Sequence, residues 1–382
     1  MEQTQNTKTP YQDFTLLVDG KNAFPEIIRT IDEAEHSVKI NMFIWRDDTI
    51  GNRLAAAVLQ AAKRGVKVKI SVDRYGVVLE KSEEVKKSFF HKTQTLTEKI
   101  KIRSLELFYP MPNTPKKAKD ESSALYEEII AHPNITIEAD EFKADHSKYY
   151  IIDDKILIFG GVNVEDKENG ADMQGRAYQD YMIKLYGEEY VSAFEKKLLT
   201  GENFSTDYLF GINVKKPVRR FEMEKLYLDM IREAKSKLYI TMAYFSPLKP
   251  FVKAIVAAVK RGVEVTVMVP KNANYQNDSN MKTVKKLMKL TGNKICLYFS
   301  PKMLHTKMIV TEDWISFGST NITKKAFQQL NELNIFLKNV DSEVKTKLMQ
   351  SMQENHALSE KINTYKRIKY NAFAAFVEGF LV

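Results

Sequence analysis

Two stretches of the chain pair an imidazole with an amine at the same spacing. His146 and Lys148 stand in HSKYYIIDDKILIFGGVN, and His305 and Lys307 stand in HTKMIVTEDWISFGSTN, well into the second half of the chain. Each pair is followed by a carboxylate (Asp153 or Glu312), a small-residue turn (Gly160 and Gly161, or Gly318 and Ser319) and an amide, Asn163 or Asn321. Residues two apart on a strand share a face, so each segment presents its histidine and lysine together. A lone His-x-Lys is ordinarily a solvated pair with no chemistry. Its recurrence with the trailing glycine and asparagine points to two half-sites of one reaction centre.

The chemistry such a centre supports is displacement at phosphorus. Two lysines supply point charges for a phosphate, and Asn163, Ser319, Asn321 and the open backbone at Gly161 are expected to complete its binding. Two opposed histidines suit in-line transfer: one attacks, and the other protonates the leaving oxygen and then activates the acceptor. Each imidazole needs a partner to hold its tautomer. Asp180 (YQDYMIKL) and Glu332 (LNELNIFL) follow the two segments at comparable places and are the expected orienting carboxylates. Asp153 and Glu312 join the expected catalytic set as the motif's carboxylates, although for Asp153, at the turn, a structural role in hydrogen-bonding the hairpin is favoured over direct catalysis. No metal and no cofactor enter this scheme. Cys296 is the only cysteine, and His36, His91, His132 and His356 lack ligand spacing, so no metal site is expected and none of these four is expected to be catalytic.

The elements that must position these groups are themselves duplicated. IIRTIDEAEHSVKINMFIW returns as LYLDMIREAKSKLYITMAYFSP, and LAAAVLQAAKRGVKVKISVD as FVKAIVAAVKRGVEVTVMVP. Each of the second pair reads as an amphipathic helix with a basic last turn, stopped by Gly65 or Gly262, then a β-branched strand. Short strand–helix–strand links imply parallel pairing and right-handed crossovers. The expected fold is therefore α/β: two similar domains, each a mostly parallel sheet flanked by helices, related by a pseudo-twofold axis. Their expected extents are 1–212 and 213–382, with the link near NVKKPVRRF. The stretch from Gly65 to His146 is nearly twice as long as that from Gly262 to His305. The excess falls near 80–113, a charged stretch expected to form a helical insertion over the site mouth.

A net charge of +9 favours anionic partners: a lipid surface, nucleic acid or a phosphorylated small molecule. No apolar run approaches membrane-spanning length, and the start lacks an apolar signal core, so a cytoplasmic protein is expected. The C-terminal YKRIKYNAFAAFVEGFLV sets basic residues before an aromatic, apolar stretch. Such a tail is suited either to docking on the core or to lying in a membrane interface.

These segments resemble the phospholipase D superfamily, whose mark is a repeated His-x-Lys-x4-Asp motif followed by Gly-Gly/Ser-x-Asn. His146, Lys148, Asp153, Gly160, Gly161 and Asn163 match it fully; His305, Lys307, Gly318, Ser319 and Asn321 match the second copy. Glu312 stands where the second aspartate is expected, in a turn one residue shorter. The resemblance implies a phosphohistidine intermediate, no metal, and a site at the interface of two similar α/β domains. Within the superfamily, DGKNAF and AAKRGVKV are similar to bacterial cardiolipin synthases. That implies a phospholipid substrate such as phosphatidylglycerol and peripheral membrane contact through the basic surface and tail. A nuclease is the alternative with the same chemistry, and nucleic acid is then the partner. A non-catalytic lipid-binding protein is disfavoured by the intact His, Lys and Asn sets.

Overall fold

The computed structural model describes residues 10–83, 86–109, 122–170, 177–203, 205–216 and 219–381. The first half runs β1 (Phe14–Val18), α1 (Asp19–Asp32), β2 (Ser37–Met42), α2 (Thr49–Lys63), β3 (Lys67–Val72), α3 (Val77–Ser82), α4 (Leu96–Phe108), α5 (Ala124–Ala131), β4 (Ile135–Glu138), β5 (Tyr149–Ile152), β6 (Ile156–Gly160), β7 (Tyr178–Gln179), β8 (Tyr181–Tyr186) and α6 (Glu188–Thr200). The second runs β9 (Tyr208–Asn213), α7 (Met223–Glu233), β10 (Lys237–Met242), β11 (Phe245–Ser246), α8 (Lys249–Lys260), β12 (Glu264–Pro270), α9 (Asn277–Leu290), β13 (Cys296–Ser300), β14 (Met303–Leu304), β15 (Lys307–Thr311), β16 (Trp314–Gly318), β17 (Ile322–Thr323), α10 (Lys324–Gln328), β18 (Glu332–Lys338), α11 (Glu343–Leu358), β19 (Glu360–Ile362) and α12 (Ala372–Leu381).

Local sequence explains the helices that back the sheets. Asp48 caps α2 by accepting from the Gly51 N–H at 2.9 Å. Ile50, Leu54, Ala55, Val58, Ala61 and Ala62 then bury one face at helical spacing. Gly65 and Gly262, at φ +104° and +92°, turn the chain out of α2 and α8 as their positions in the sequence imply.

The duplication is complete in strand order. One sheet runs β1-β8-β6-β5-β2-β3-β4, and the other runs β9-β18-β16-β15-β10-β12-β13, with β19 added at its edge. Both sheets are mixed, which corrects the expectation of mostly parallel strands. Only β2-β3-β4 and β10-β12-β13, joined through helices, pair in parallel. The two His segments are hairpins, β5-β6 and β15-β16, and hairpins pair antiparallel. The boundary also moves. Strand β9 pairs along its whole length with β18, so the second half begins upstream of residue 213.

Strands buried on both faces sort their side chains into separate cores. Tyr150, Ile152 and Ile158 pack under α1 and α2, and Ile309 packs under α7, α8 and α9. The alternate residues Ile151, Leu157 and Phe159 meet Met308, Val310, Ile315 and Phe317 in a third core between the sheets. The layers are therefore helix, sheet, sheet, helix. Cys296, expected in a buried strand, lies in β13 and is half-buried.

Candidate active site

The two halves meet by exchanging identical contacts. The His305 N–H donates to the Gln179 carbonyl at 2.9 Å, and the His146 N–H donates to the Asn331 carbonyl at 2.9 Å. Around these bonds β14 pairs with β7, and Asp145 bridges Asn331. A contact and its mirror image are what a twofold relation produces. Each exchange delivers a carboxylate one residue further along: Asp180 after Gln179, and Glu332 after Asn331.

The orienting carboxylates therefore cross over. His146 Nδ1 lies 3.1 and 3.2 Å from the two oxygens of Glu332 in the other half. His305 Nδ1 lies 3.0 Å from Asp180 and 3.0 Å from Glu168, both in the first half. All are buried, and both histidines line one cavity of about 420 Å³. The sequence does not reveal Glu168. It sits in the loop after Asn163, and the repeat places Ala326 at the corresponding position, so duplication could not find it.

The environments are unequal. Burial, with help from Lys148, Lys307 and His305, drives His146 well below the ordinary imidazole value. Burial and Lys307 also pull His305 down, but the Glu168 and Asp180 carboxylates outweigh them and hold it above that value. Burial pushes Glu332 up to about 8. Burial and the nearby Lys307 draw Lys148 down to about 7.

Both lysines are fully buried beneath the cavity wall. Lys148 donates to the His146 carbonyl and lies 5.0 Å from the centroid of the Phe43 ring. Lys307 donates to the His305 carbonyl and to Asp180 at 3.2 Å. Asn163 and Asn321 line the cavity. Asn321 Oδ1 accepts from the Tyr244 N–H at 3.1 Å, which turns its NH2 outward as a donor. Asn163 Oδ1 is buried without a partner.

Four expected site residues take other places. Asp153 and Glu312 lie at the far end of β5 and β15, seven residues beyond their histidines, or about 20 Å at roughly 3.3 Å per residue. Asp153 accepts from the N–H groups of Glu35, His36 and Ser37 at 2.8 to 2.9 Å. Glu312 accepts from Ser236 at 3.4 Å and Lys237 at 3.2 Å, and also from Lys235. Both are structural clasps on the start of β2 or β10, which corrects the catalytic expectation. Glu312, in the turn one residue shorter, thus makes the same kind of clasp as Asp153. Ser319 does not face the cavity. Its hydroxyl donates to Glu332 and accepts from the Leu333 N–H, so it supports the carboxylate rather than a phosphate. Gly161 likewise makes room: a Cβ there would overlap the Asp180 carboxylate.

Helix α4 lies within the stretch near 80–113, and α3 runs into its start. Val78 and Leu79 of α3, with Ile100, Lys101, Ser104 and Leu105 of α4, form one cavity wall. Residues 84–85 and 110–113 of the expected insertion lie outside the described residues. Of the other histidines, His91 is buried against Glu80 at 2.9 Å. Among the described residues no cluster of His, Cys, Asp and Glu could hold a metal ion.

Two copies of one α/β unit, with opposed histidines held by each other's carboxylates, define the phospholipase D class of protein. Comparison with known proteins narrows this. The model of the family described as "Cardiolipin synthase, PLD-like domain" matches residues 27–200 and 227–356, and the chain belongs to that family. A probable cardiolipin synthase of Bacillus subtilis is 24% identical over 95% of this chain and 69% of its own length. Cardiolipin synthase B of Escherichia coli is 24% identical over 84% of this chain and 75% of its own. Among solved structures, phosphatidylserine synthase of Haemophilus influenzae superposes with a TM-score of 0.70 at 10% identity, covering 96% of this chain and 92% of that one.

Proposed function

We propose that the protein is a phosphatidyltransferase that moves the phosphatidyl group of a phospholipid such as phosphatidylglycerol through a phosphohistidine on His146. The observation that carries this reading is the pair of unequal histidines on one cavity. Family membership and the cardiolipin synthases among its relatives support the lipid substrate.

His146 Nδ1 faces Glu332, so ionised Glu332 accepts from Nδ1–H and leaves Nε2 a lone pair. Nε2 attacks phosphorus, and the bond to the headgroup oxygen breaks. His305, held cationic by Glu168 and Asp180, gives its proton to that oxygen. A second lipid's hydroxyl then yields its proton to His305 and attacks phosphorus, and the P–N bond breaks. With phosphatidylglycerol in both roles the products are cardiolipin and glycerol; with water the outcome is hydrolysis. The Lys148 and Lys307 ammoniums and the Asn163 and Asn321 amides stabilise the charge on the non-bridging oxygens.

The apolar residues of α3 and α4 suit acyl chains better than a polynucleotide, whose phosphates call for an exposed basic track with stacking aromatics. Peripheral membrane contact fits the surface. Ile100 lines the cavity yet is 60% exposed, Leu107 of α4 is 85% exposed, and Phe373 and Phe376 of α12 are also exposed. Helix α12 docks on α9 through Glu378, which accepts from the Ser279 N–H at 2.7 Å, so the tail packs on the core and still presents aromatics. Among the described residues no helix is long and apolar enough to cross a membrane.

The deciding experiment incubates the protein in EDTA with phosphatidylglycerol vesicles and, separately, with single-stranded DNA. Cardiolipin and glycerol are the expected products. DNA cleavage without lipid turnover would replace this reading with the nuclease one.

A further inference from the structure

Among the described residues, two buried polar groups on the cavity have no hydrogen-bond partner. The Tyr178 hydroxyl and Gln276 Nε2 lack any hydrogen-bond partner, yet their residues are 4% and 2% exposed and both line the cavity. A buried donor left unmade weakens the folded protein, so such groups call for an explanation. Tyr178 stands on the acid's side of the site, and Gln276 lines the same cavity. The Tyr178 ring centroid lies 5.7 Å from that of His305, and the Tyr244 ring 6.5 Å.

The wall behind them is tied together by buried hydrogen bonds and ion pairs. The Tyr244 hydroxyl donates to Asn274 at 2.7 Å, and Asn274 donates to Glu83 at 3.0 Å, joining the two halves. Glu83 is in turn paired with Lys167 at 2.6 Å and Arg46 at 3.0 Å, and Arg46 with Glu165 at 2.6 Å. Two buried cations thus face two buried carboxylates. Tyr178, Gln276, Tyr244 and Asn274 themselves bring neutral hydrogen-bonding groups to the cavity lining, which suits hydroxyl groups.

We propose that Tyr178 and Gln276, backed by Tyr244 and Asn274, form a subsite for the neutral polyol unit of the lipid headgroup. This rests on the phosphatidyl-transfer reading and names its substrate class. The leaving oxygen takes its proton from His305, so the headgroup extends past His305 onto this wall. The incoming hydroxyl occupies the same apical position in the second step. One subsite therefore reads the glycerol unit twice, as leaving group and as acceptor.

The test compares headgroup release from vesicles of phosphatidylglycerol with that from vesicles of phosphatidylpropanol, which lacks free hydroxyls. The wild-type protein, Tyr178→Phe and Gln276→Met are measured as the ratio of kcat/KM for the two lipids. The wild type prefers phosphatidylglycerol, and each variant lowers that ratio about tenfold, the worth of one neutral hydrogen bond. Tyr178→Phe also melts no lower than wild type, because it deletes a buried hydroxyl that has no partner in the free protein. A ratio within twofold of wild type in both variants overturns the subsite. Wild-type turnover of neither lipid instead strikes the phosphatidyl-transfer reading, and the subsite falls with it.

Discussion

Removing His305 should cripple the protein on a natural lipid but not on a donor whose leaving group needs no proton. Two carboxylates at 3.0 Å from Nδ1 favour the cationic form of this imidazole against burial and against Lys307, which suits it to proton donation. General acid catalysis contributes typically 10²- to 10⁴-fold. At about 1.36 kcal/mol per decade, that is about 2.7 to 5.5 kcal/mol of barrier. An alkoxide leaving group needs all of it, whereas p-nitrophenolate departs unprotonated. His305→Ala should therefore lose roughly 10²- to 10⁴-fold on phosphatidylglycerol, yet less than about tenfold in the first turnover of a phosphatidyl p-nitrophenyl ester. The second step lacks its base in this variant. The expected trace is a rapid burst of p-nitrophenolate approaching one equivalent per protein, then near-arrest, with the phosphoryl group trapped on His146. His146→Ala should show no burst with either donor. A burst from His146→Ala and none from His305→Ala would reverse the assignment of the two histidines and refute the argument from their environments.

The carboxylate pushed up to about 8 sets a pH dependence. The kcat/KM should rise with pH through about 8 as Glu332 ionises and fixes the Nδ1–H tautomer, and Glu332→Gln should abolish that limb. The sign for stability is opposite, because a raised carboxyl pKa means folded protein holds the proton more tightly than unfolded chain. Stability from Glu332 is lost as pH climbs from about 4.5 to about 8, at up to about 1.4 kcal/mol per pH unit. The melting temperature of Glu332→Gln relative to wild type should accordingly be more favourable at pH 8.5 than at pH 5.5; the reverse trend would sink the assignment. Asp153→Ala removes the acceptor for three backbone N–H groups at the β2 start and should destabilise by about 2 to 4 kcal/mol in urea titration. The same protein, below its melting temperature, should keep kcat within a few-fold, whereas a direct catalytic role would remove activity outright. Gly161→Ala should push Asp180 away from His305 and lower turnover of phosphatidylglycerol by at least about tenfold, with little loss in the first-turnover burst on the p-nitrophenyl donor.

The repeat made the architecture readable. Two matched helix–strand phrases set the unit, and the longer gap between Gly65 and His146 than between Gly262 and His305 located the α4 insertion. The motif marked His146, Lys148, His305 and Lys307 for the site because their spacing on a strand is local geometry. What spacing could not convey is the partner of each side chain once the halves dock. Asp180 and Glu332 were visible as candidates, but their crossover depends on strand β7 meeting β14 across the interface. Asp153 and Glu312 share the motif for a different reason: the hairpin must be clasped to the next strand. Glu168, Tyr178 and Gln276 occur once each, in a loop, in the two-residue strand β7 and just before a helix, where neither periodicity nor repetition carries information.

Two copies of one sequence plan would by symmetry give two equivalent histidines, and the bound substrate alone would then decide which attacks and which protonates. The structure breaks the equivalence with small substitutions at matched positions. Ser319 stands where the first half has Gly161. Its hydroxyl occupies one oxygen of Glu332, whereas Gly161 leaves space for Asp180 to reach both His305 and Lys307. Glu168 has no counterpart, so His305 faces two carboxylates and His146 faces one, which is itself reluctant to ionise. One added carboxylate and one glycine thus push the two imidazoles in opposite directions from the ordinary value. Because each orienting carboxylate comes from the other half, this inequality depends on the docking of the halves. The chemistry is therefore tied to the integrity of the interface between the sheets.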